Sequence, residues 1–365
     1  MRTIVKVVVV NLMFIGLGII VVELIFGSWF GYTFDPRLRV RQDAELALDT
    51  NSLYPSTKPT IYRRDRWGLR GEIPSPDRVA IVTIGGSTTD QLYLSEGDTW
   101  QDRFAAAADP GRHLIVANAG LDGQSTVGHI AAIEGWLTRI PALRPKFVLI
   151  YAGINDVVVE TRVDRDGVAA DEPVHRLRQI LEQRSAIVGL VQATLGAIEA
   201  RRGHLTHGTT VLDEAHALWA PIPDLAVLRA ATSQRLAAYA DRLATLDRLV
   251  RAWGAEPIFV TQPHAFRRLS ATGAPLGLLL TNGRMDLFML KLGLYNEQTL
   301  ATCHHVEAIC LDLAGELSFG PGDFYDIIHY TPAGAARIGK YLAMKLYPDL
   351  VRARLVADWK TASRP

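Results

Sequence analysis

Four short segments carry residue types that can cooperate in acyl chemistry: Gly85-Gly86-Ser87-Thr88-Thr89, Asn118-Ala119-Gly120-Leu121-Asp122-Gly123-Gln124-Ser125, Gly153-Ile154-Asn155-Asp156 and Asp326-Ile327-Ile328-His329. A serine on a glycine-rich turn from strand to helix exposes its hydroxyl and aims its backbone N–H at whatever the hydroxyl attacks. The helix N-terminus behind it favours developing negative charge. Ser87 is therefore the candidate nucleophile. An aspartate three residues ahead of a histidine can turn back and accept from one imidazole nitrogen, leaving the other free to take a serine proton, and Asp326 and His329 fit those roles. The side-chain amide of Asn155 can donate to a tetrahedral oxyanion, and a glycine N–H from the 118–125 loop would serve as a second donor.

Each segment alone has a plainer reading. Gly-Gly-Ser is a common turn, loop glycines serve positive-φ turns, Asn155 can cap a helix, and Asp326 and His329 can be a loop pair without a partner. A phosphate-cradling loop is disfavoured because no lysine follows Ser87 at the required spacing. The Gly-x-Ser-x-Gly elbow fails because Thr89 stands at its second glycine. What raises the conjunction above its parts is that all four segments fall just past successive sheet elements and together supply nucleophile, oxyanion donors, base and orienter.

In these four blocks the sequence resembles the SGNH/GDSL hydrolase family, matched here by GGSTT, NAGLDGQS, GIND and DIIH. The resemblance spans most of residues 79–340. It implies Ser87 as nucleophile, Gly123 and Asn155 as oxyanion donors with Gly120 as the runner-up to Gly123, and His329 as base oriented by Asp326. One departure is Gly86, which stands where many members carry Asp; that position is outside the triad. No metal or organic cofactor is implied.

The elements that must position these residues alternate along the chain. Strand signals run at Val79–Ile84, His113–Ala117, Phe147–Tyr151, Glu256–Thr261 and Ala308–Leu313, with helical patterns at Trp100–Ala108, Ser125–Arg139 and Leu225–Trp253. Strands separated by helices pair in parallel through right-handed crossovers. The expected fold is an α/β flavodoxin-like three-layer sandwich with a five-stranded parallel sheet. Ligands of such sheets bind at the C-terminal strand edge. Thr331 and Pro332 are a good N-cap and first residue for the last helix, which leaves His329 in the loop before it. Residues 31–77 read as a linker and extended lead-in, 78–350 as the hydrolase domain, about 160–222 as a helical insertion, 264–284 as a loop near the sheet edge, and 351–365 as a tail.

The chain has 365 residues, 48% hydrophobic, and a formal net charge of +1, so nothing in its charge points to nucleic acid. Its first 30 residues differ in kind. Val7 to Val22 contains no charge, and the apolar run resumes after Glu23. About 20 residues cross a hydrocarbon core, so residues 1–30 read as a transmembrane anchor, with Arg2 and Lys6 inside and Trp29, Phe30 and Tyr32 at the outer interface. The rival is a cleaved signal peptide, which usually has a shorter apolar region and a clearer small-residue cleavage site than Gly27-Ser28. On either reading the remainder lies outside the cytoplasm, on the periplasmic side if the source is bacterial.

Other residues invite plainer explanations. His304-His305 lacks acidic or thiolate partners at metal-ligand spacing and reads as a solvated helix end. Cys303 and Cys310 straddle a turn and can pair in an oxidising compartment or remain buried thiols. His264 is a candidate pocket residue, and Tyr325 and Tyr330 flank the triad loop either as sugar-facing rings or as packing. The expected activity is hydrolysis of O-acyl, foremost O-acetyl, esters on an extracytoplasmic carbohydrate or envelope substrate. Lipid esters, thioesters and acyl transfer are the enzymatic alternatives, and a silent scaffold in polysaccharide export is the alternative from another class. Protein partners and oligomeric state are not readable.

Overall fold

The computed structural model describes residues 2–27, 29, 34–35, 38, 40–111, 113–159, 173–188, 190–191 and 216–357. Five strands form the central sheet: β3 (Val79–Gly85), β4 (Ile115–Asn118), β5 (Phe147–Tyr151), β7 (Glu256–Val260) and β10 (Ile309–Leu311). Their spatial order is β10-β7-β5-β3-β4, and every pairing is parallel. That is the flavodoxin-like order, whose switch point falls between β3 and β5. β3 and β5 are buried along their whole length, as expected of strands covered on both faces.

Helices α3 (Trp100–Ala108) and α10 (Pro332–Arg352), with the single turn α9 (Leu313–Glu316), cover one face, and α4 (Thr126–Gly135), α7 (Ala226–Ala252) and α8 (Leu287–His305) the other. Their ends follow local chemistry. Thr99 forms a capping box with Asp102 at the start of α3, Ser125 caps α4 through Val127, and Thr331 caps α10 through Gly334 with Pro332 in its first turn. The helix expected to reach Arg139 leaves the α-helical form at Gly135, and a 3₁₀ turn spans Leu137–Arg139.

Two stretches differ from their sequence reading. The lead-in is structured: β1 (Ala44–Leu48) and β2 (Thr60–Arg64) pair antiparallel, and Arg64 and Arg70 are buried. Its sparse periodicity reflects stabilisation by buried arginines, which an apolar pattern does not reveal. The 264–284 stretch is a hairpin rather than a loop: β8 (Arg267–Leu269) and β6 (Leu218–Pro221) flank β9 (Pro275–Leu279) in a small antiparallel sheet. Pro275 opens β9, and at the first position of a strand proline does not disrupt a ladder. Of the helical insertion, α6 (Pro173–Arg184) is helical, whereas residues 160–172 and 192–215 lie outside the described residues, and 218–221 is strand.

The N-terminal helix α1 (Arg2–Phe26) includes a 23-residue apolar span, Ile4–Phe26, with mean hydropathy 2.6, and that span is long enough to cross a membrane. Near its C-terminal end Glu23 accepts hydrogen bonds from Trp29 Nε1, Ser185 Oγ and the backbone N–H groups of Ala186 and Ile187. The expectations for Phe30 and Tyr32 fall outside the described residues. Cys303 and Cys310 are joined by a disulfide between the end of α8 and β10.

Candidate active site

Ser87 opens α2 (Ser87–Asp90), a single turn directly after β3. Its Oγ lies 2.8 Å from His329 Nε2, and His329 Nδ1 lies 2.7 Å from Asp326 Oδ2. With the proton on Nδ1 donated to Asp326, Nε2 accepts from the serine hydroxyl, the arrangement a general base needs. Asp326 Oδ1 accepts from the N–H groups of Ile328 and His329 at 2.8 and 2.7 Å. Burial alone would raise the Asp326 pKa, but the bond to the His329 ring, its charge and the two backbone donors outweigh that and hold it below the ordinary carboxylate value. The Tyr325 ring stacks on the imidazole at 5.6 Å between centroids. Both flanking tyrosines are buried in the core, and Tyr330 shares a 2.6 Å hydroxyl contact with Tyr151.

Asn155 is in the first turn of α5 (Ile154–Val159), just beyond β5. Its Nδ2 donates to the Gln124 carbonyl at 2.8 Å and hangs over Gly86. A Cβ added at Gly86 would stand 2.0 Å from that nitrogen. The missing side chain at this position, the departure noted in the sequence, is thus what lets the Asn155 amide sit beside Ser87. Gly123 has φ +74°, a conformation glycine adopts at no steric cost. Between the two candidate glycines, Gly120 already donates its N–H to Asn118 Oδ1 at 2.9 Å, whereas no described residue accepts from that of Gly123.

Three supports escaped the sequence reading. Gln262, just past β7, accepts from the Ile154 N–H at 2.6 Å and donates to Thr88 Oγ1 at 3.0 Å, so one side chain ties the Ser87 turn to the Asn155 turn. Asp156 is buried and accepts from the Thr126 N–H and from Arg242 Nη2 at 3.1 Å; burial pushes its pKa up to about 6. Beneath α2, the buried Arg64 donates to Asp90 Oδ1 at 2.8 Å, and Arg70 donates to the carbonyls of Asp90, Gln91 and Leu94. A buried polar side chain in an otherwise apolar run was the one available signal. It does not name the partner.

His264 lies beside a second cavity of about 420 Å³ lined by α8 and β9 residues, and burial pushes its pKa down to about 3, which keeps it neutral. His304 and His305 end α8, both exposed, and no metal-ligating cluster occurs among the described residues.

No family model and no curated protein matches the sequence. Solved structures similar to it include a member of the lipolytic protein G-D-S-L family from Veillonella parvula, 14% identical, with 74% of this chain and 98% of that one covered at a TM-score of 0.42. A catalytic mutant of the acetylxylan esterase Axe2 from Geobacillus stearothermophilus is 12% identical, with 73% and 94% covered and a TM-score of 0.42. A GDSL-like lipase from Bacteroides thetaiotaomicron is 13% identical, with 78% and 93% covered and a TM-score of 0.39.

Proposed function

We propose that this chain is a membrane-anchored serine esterase of the SGNH/GDSL type that removes O-acyl groups, foremost O-acetyl, from an extracytoplasmic carbohydrate. The observation that carries the reading is the continuous hydrogen-bond chain Ser87–His329–Asp326, with steps of 2.8 and 2.7 Å, at the switch point of the sheet. His329 Nε2 takes the Ser87 proton as Oγ attacks the ester carbonyl. The oxyanion is held by the N–H groups of Ser87 and Gly123 and by Asn155 Nδ2. The tetrahedral adduct collapses as His329 returns the proton to the leaving alcohol. Water, deprotonated by the same nitrogen, then cleaves the acyl-serine and restores the hydroxyl. None of these steps calls on a cofactor. The location outside the cytoplasm is supported by the apolar α1 and by a disulfide, which persists in oxidising compartments.

The test is acid release by the full chain in detergent from p-nitrophenyl acetate, longer acyl esters and acetylated polysaccharides, with Ser87→Ala as control. Release is expected to favour acetyl and to fall by about 10⁴-fold or more in the variant. Turnover that survives Ser87→Ala sinks the mechanism, and a preference for long acyl chains replaces the carbohydrate substrate with a lipid.

A further inference from the structure

A cavity of about 630 Å³ adjoins the triad loop, lined among others by Tyr54, Trp219, Arg267, Arg268, Tyr325 and Asp326. Its position relative to the chemistry follows from the mechanism. His329 returns its proton to the leaving alcohol, so the alcohol lies on the His329 side of Ser87, opposite the oxyanion donors. The cavity shares Tyr325 and Asp326 with the loop that carries His329, which puts it next to that side of the site. The small sheet that builds its far wall is fastened to the same loop, because the Ala265 N–H donates to the Ile327 carbonyl at 2.7 Å.

Its charge is one-sided. The Arg268 guanidinium lies 4.3 Å from the centroid of the Trp219 ring, and Arg267, half-buried, donates through Nη1 to the Ala314 carbonyl. Neither forms an ion pair with a carboxylate among the described residues. The one carboxylate in the lining, Asp326, already accepts from the His329 ring and two backbone N–H groups. The Asp312 charge reaches Arg267 but does not line the cavity, so the two guanidinium groups create a positive potential focused into it. Planar guanidinium groups match carboxylates in two-point geometry, and Arg268 is already oriented by its aromatic base. Tyr54, half-buried at the rim of the same cavity, adds aromatic surface of the kind a sugar ring covers.

We infer that this cavity binds a carboxylated sugar unit, so that the substrate is an acidic glycan whose uronic acid is held by Arg267 and Arg268 next to the acylated residue. This rests on the esterase reading for the placement of the alcohol. The binding arm of its test does not depend on turnover.

In that arm, full-length Ser87→Ala protein in detergent is titrated with oligogalacturonate and with neutral xylo-oligosaccharide by calorimetry. Oligogalacturonate is expected to bind at least about tenfold more tightly, to weaken at 0.5 M salt, and to lose that advantage in the Arg267→Ala/Arg268→Ala background, with Arg268→Lys intermediate. In the turnover arm, kcat/KM for acetylated polygalacturonate over acetylated xylan should exceed about ten and collapse in the same variant. Equal binding of acidic and neutral oligosaccharides, or a preference untouched by removing both arginines, overturns the inference. If acidic glycan binds as expected but no ester is cleaved, the cavity assignment stands and the esterase reading falls.

Discussion

Gly86→Ala should disable the oxyanion site without unfolding the protein. The added Cβ would meet Asn155 Nδ2 at 2.0 Å, whereas real contacts stay above 3.0 Å, so the amide nitrogen must retreat by about 1 Å (3.0 minus 2.0). An oxyanion donor works at about 2.7–3.1 Å from the oxygen, and a displacement of that size takes it beyond hydrogen-bond range. Losing one such donor costs about 2.7–4 kcal/mol of transition-state stabilisation, or about 10²–10³ in kcat. The fold should survive, because the closest group is the end of a side chain, but with a modest loss of stability, since Gly86 has φ −86° and ψ −148° and the Gln124 carbonyl would stand 3.2 Å from the added Cβ. The assay is kcat on p-nitrophenyl acetate for Gly86→Ala, Asn155→Ala and the double variant, with thermal unfolding alongside. Each single variant should lose about 10²–10³, and the double should be no slower than the worse single, since both remove the same donor. Near-native kcat in Gly86→Ala, or losses that multiply in the double, would refute the assignment of Asn155.

Asp326 has a folded pKa below its unfolded value, so its ionised form contributes stability that is complete above the unfolded pKa and lost as pH falls through the folded one. Urea unfolding of Asp326→Asn against wild type should therefore show a gap at pH 7 that narrows below about pH 4; a gap constant with pH contradicts this. Arg64→Met leaves the Asp90 carboxylate, whose side chain is 7% exposed, without its cation and should cost about 3–5 kcal/mol in urea unfolding, partly recovered by adding Asp90→Asn. Replacing Cys303 and Cys310 together by serine opens a loop with sequence separation 7 and should lower stability by about 2–3 kcal/mol; an unchanged unfolding midpoint would speak against a stabilising link.

The five strands were legible because buried parallel strands are written as apolar runs, Phe147–Tyr151 most plainly. The candidate site was legible because Ser87, Gly123 and Asn155 each sit in a short segment just past a strand of the sheet, and Asp326 and His329 in the loop that a Thr-Pro helix start marks off before α10. The sequence did not disclose how the site is held. Gln262 reaches Thr88 and Ile154, and Arg64 reaches Asp90, across long separations with no local pattern. The β6–β9–β8 sheet was hidden for a related reason: its strands have three to five residues, and Gly273, Pro275 and Gly277 in and before β9 imitate a loop. Conversely, Gly86 gained meaning only when the neighbouring Asn155 amide was seen to occupy the space of its missing side chain.

The most direct test of the central claim is covalent trapping. The full chain in detergent is incubated with a fluorophosphonate, digested and read by mass spectrometry. The account predicts a single adduct on Ser87, formed at a rate that collapses in His329→Ala and slows in Asp326→Asn. No adduct on Ser87, or labelling that proceeds equally fast without His329, would contradict it.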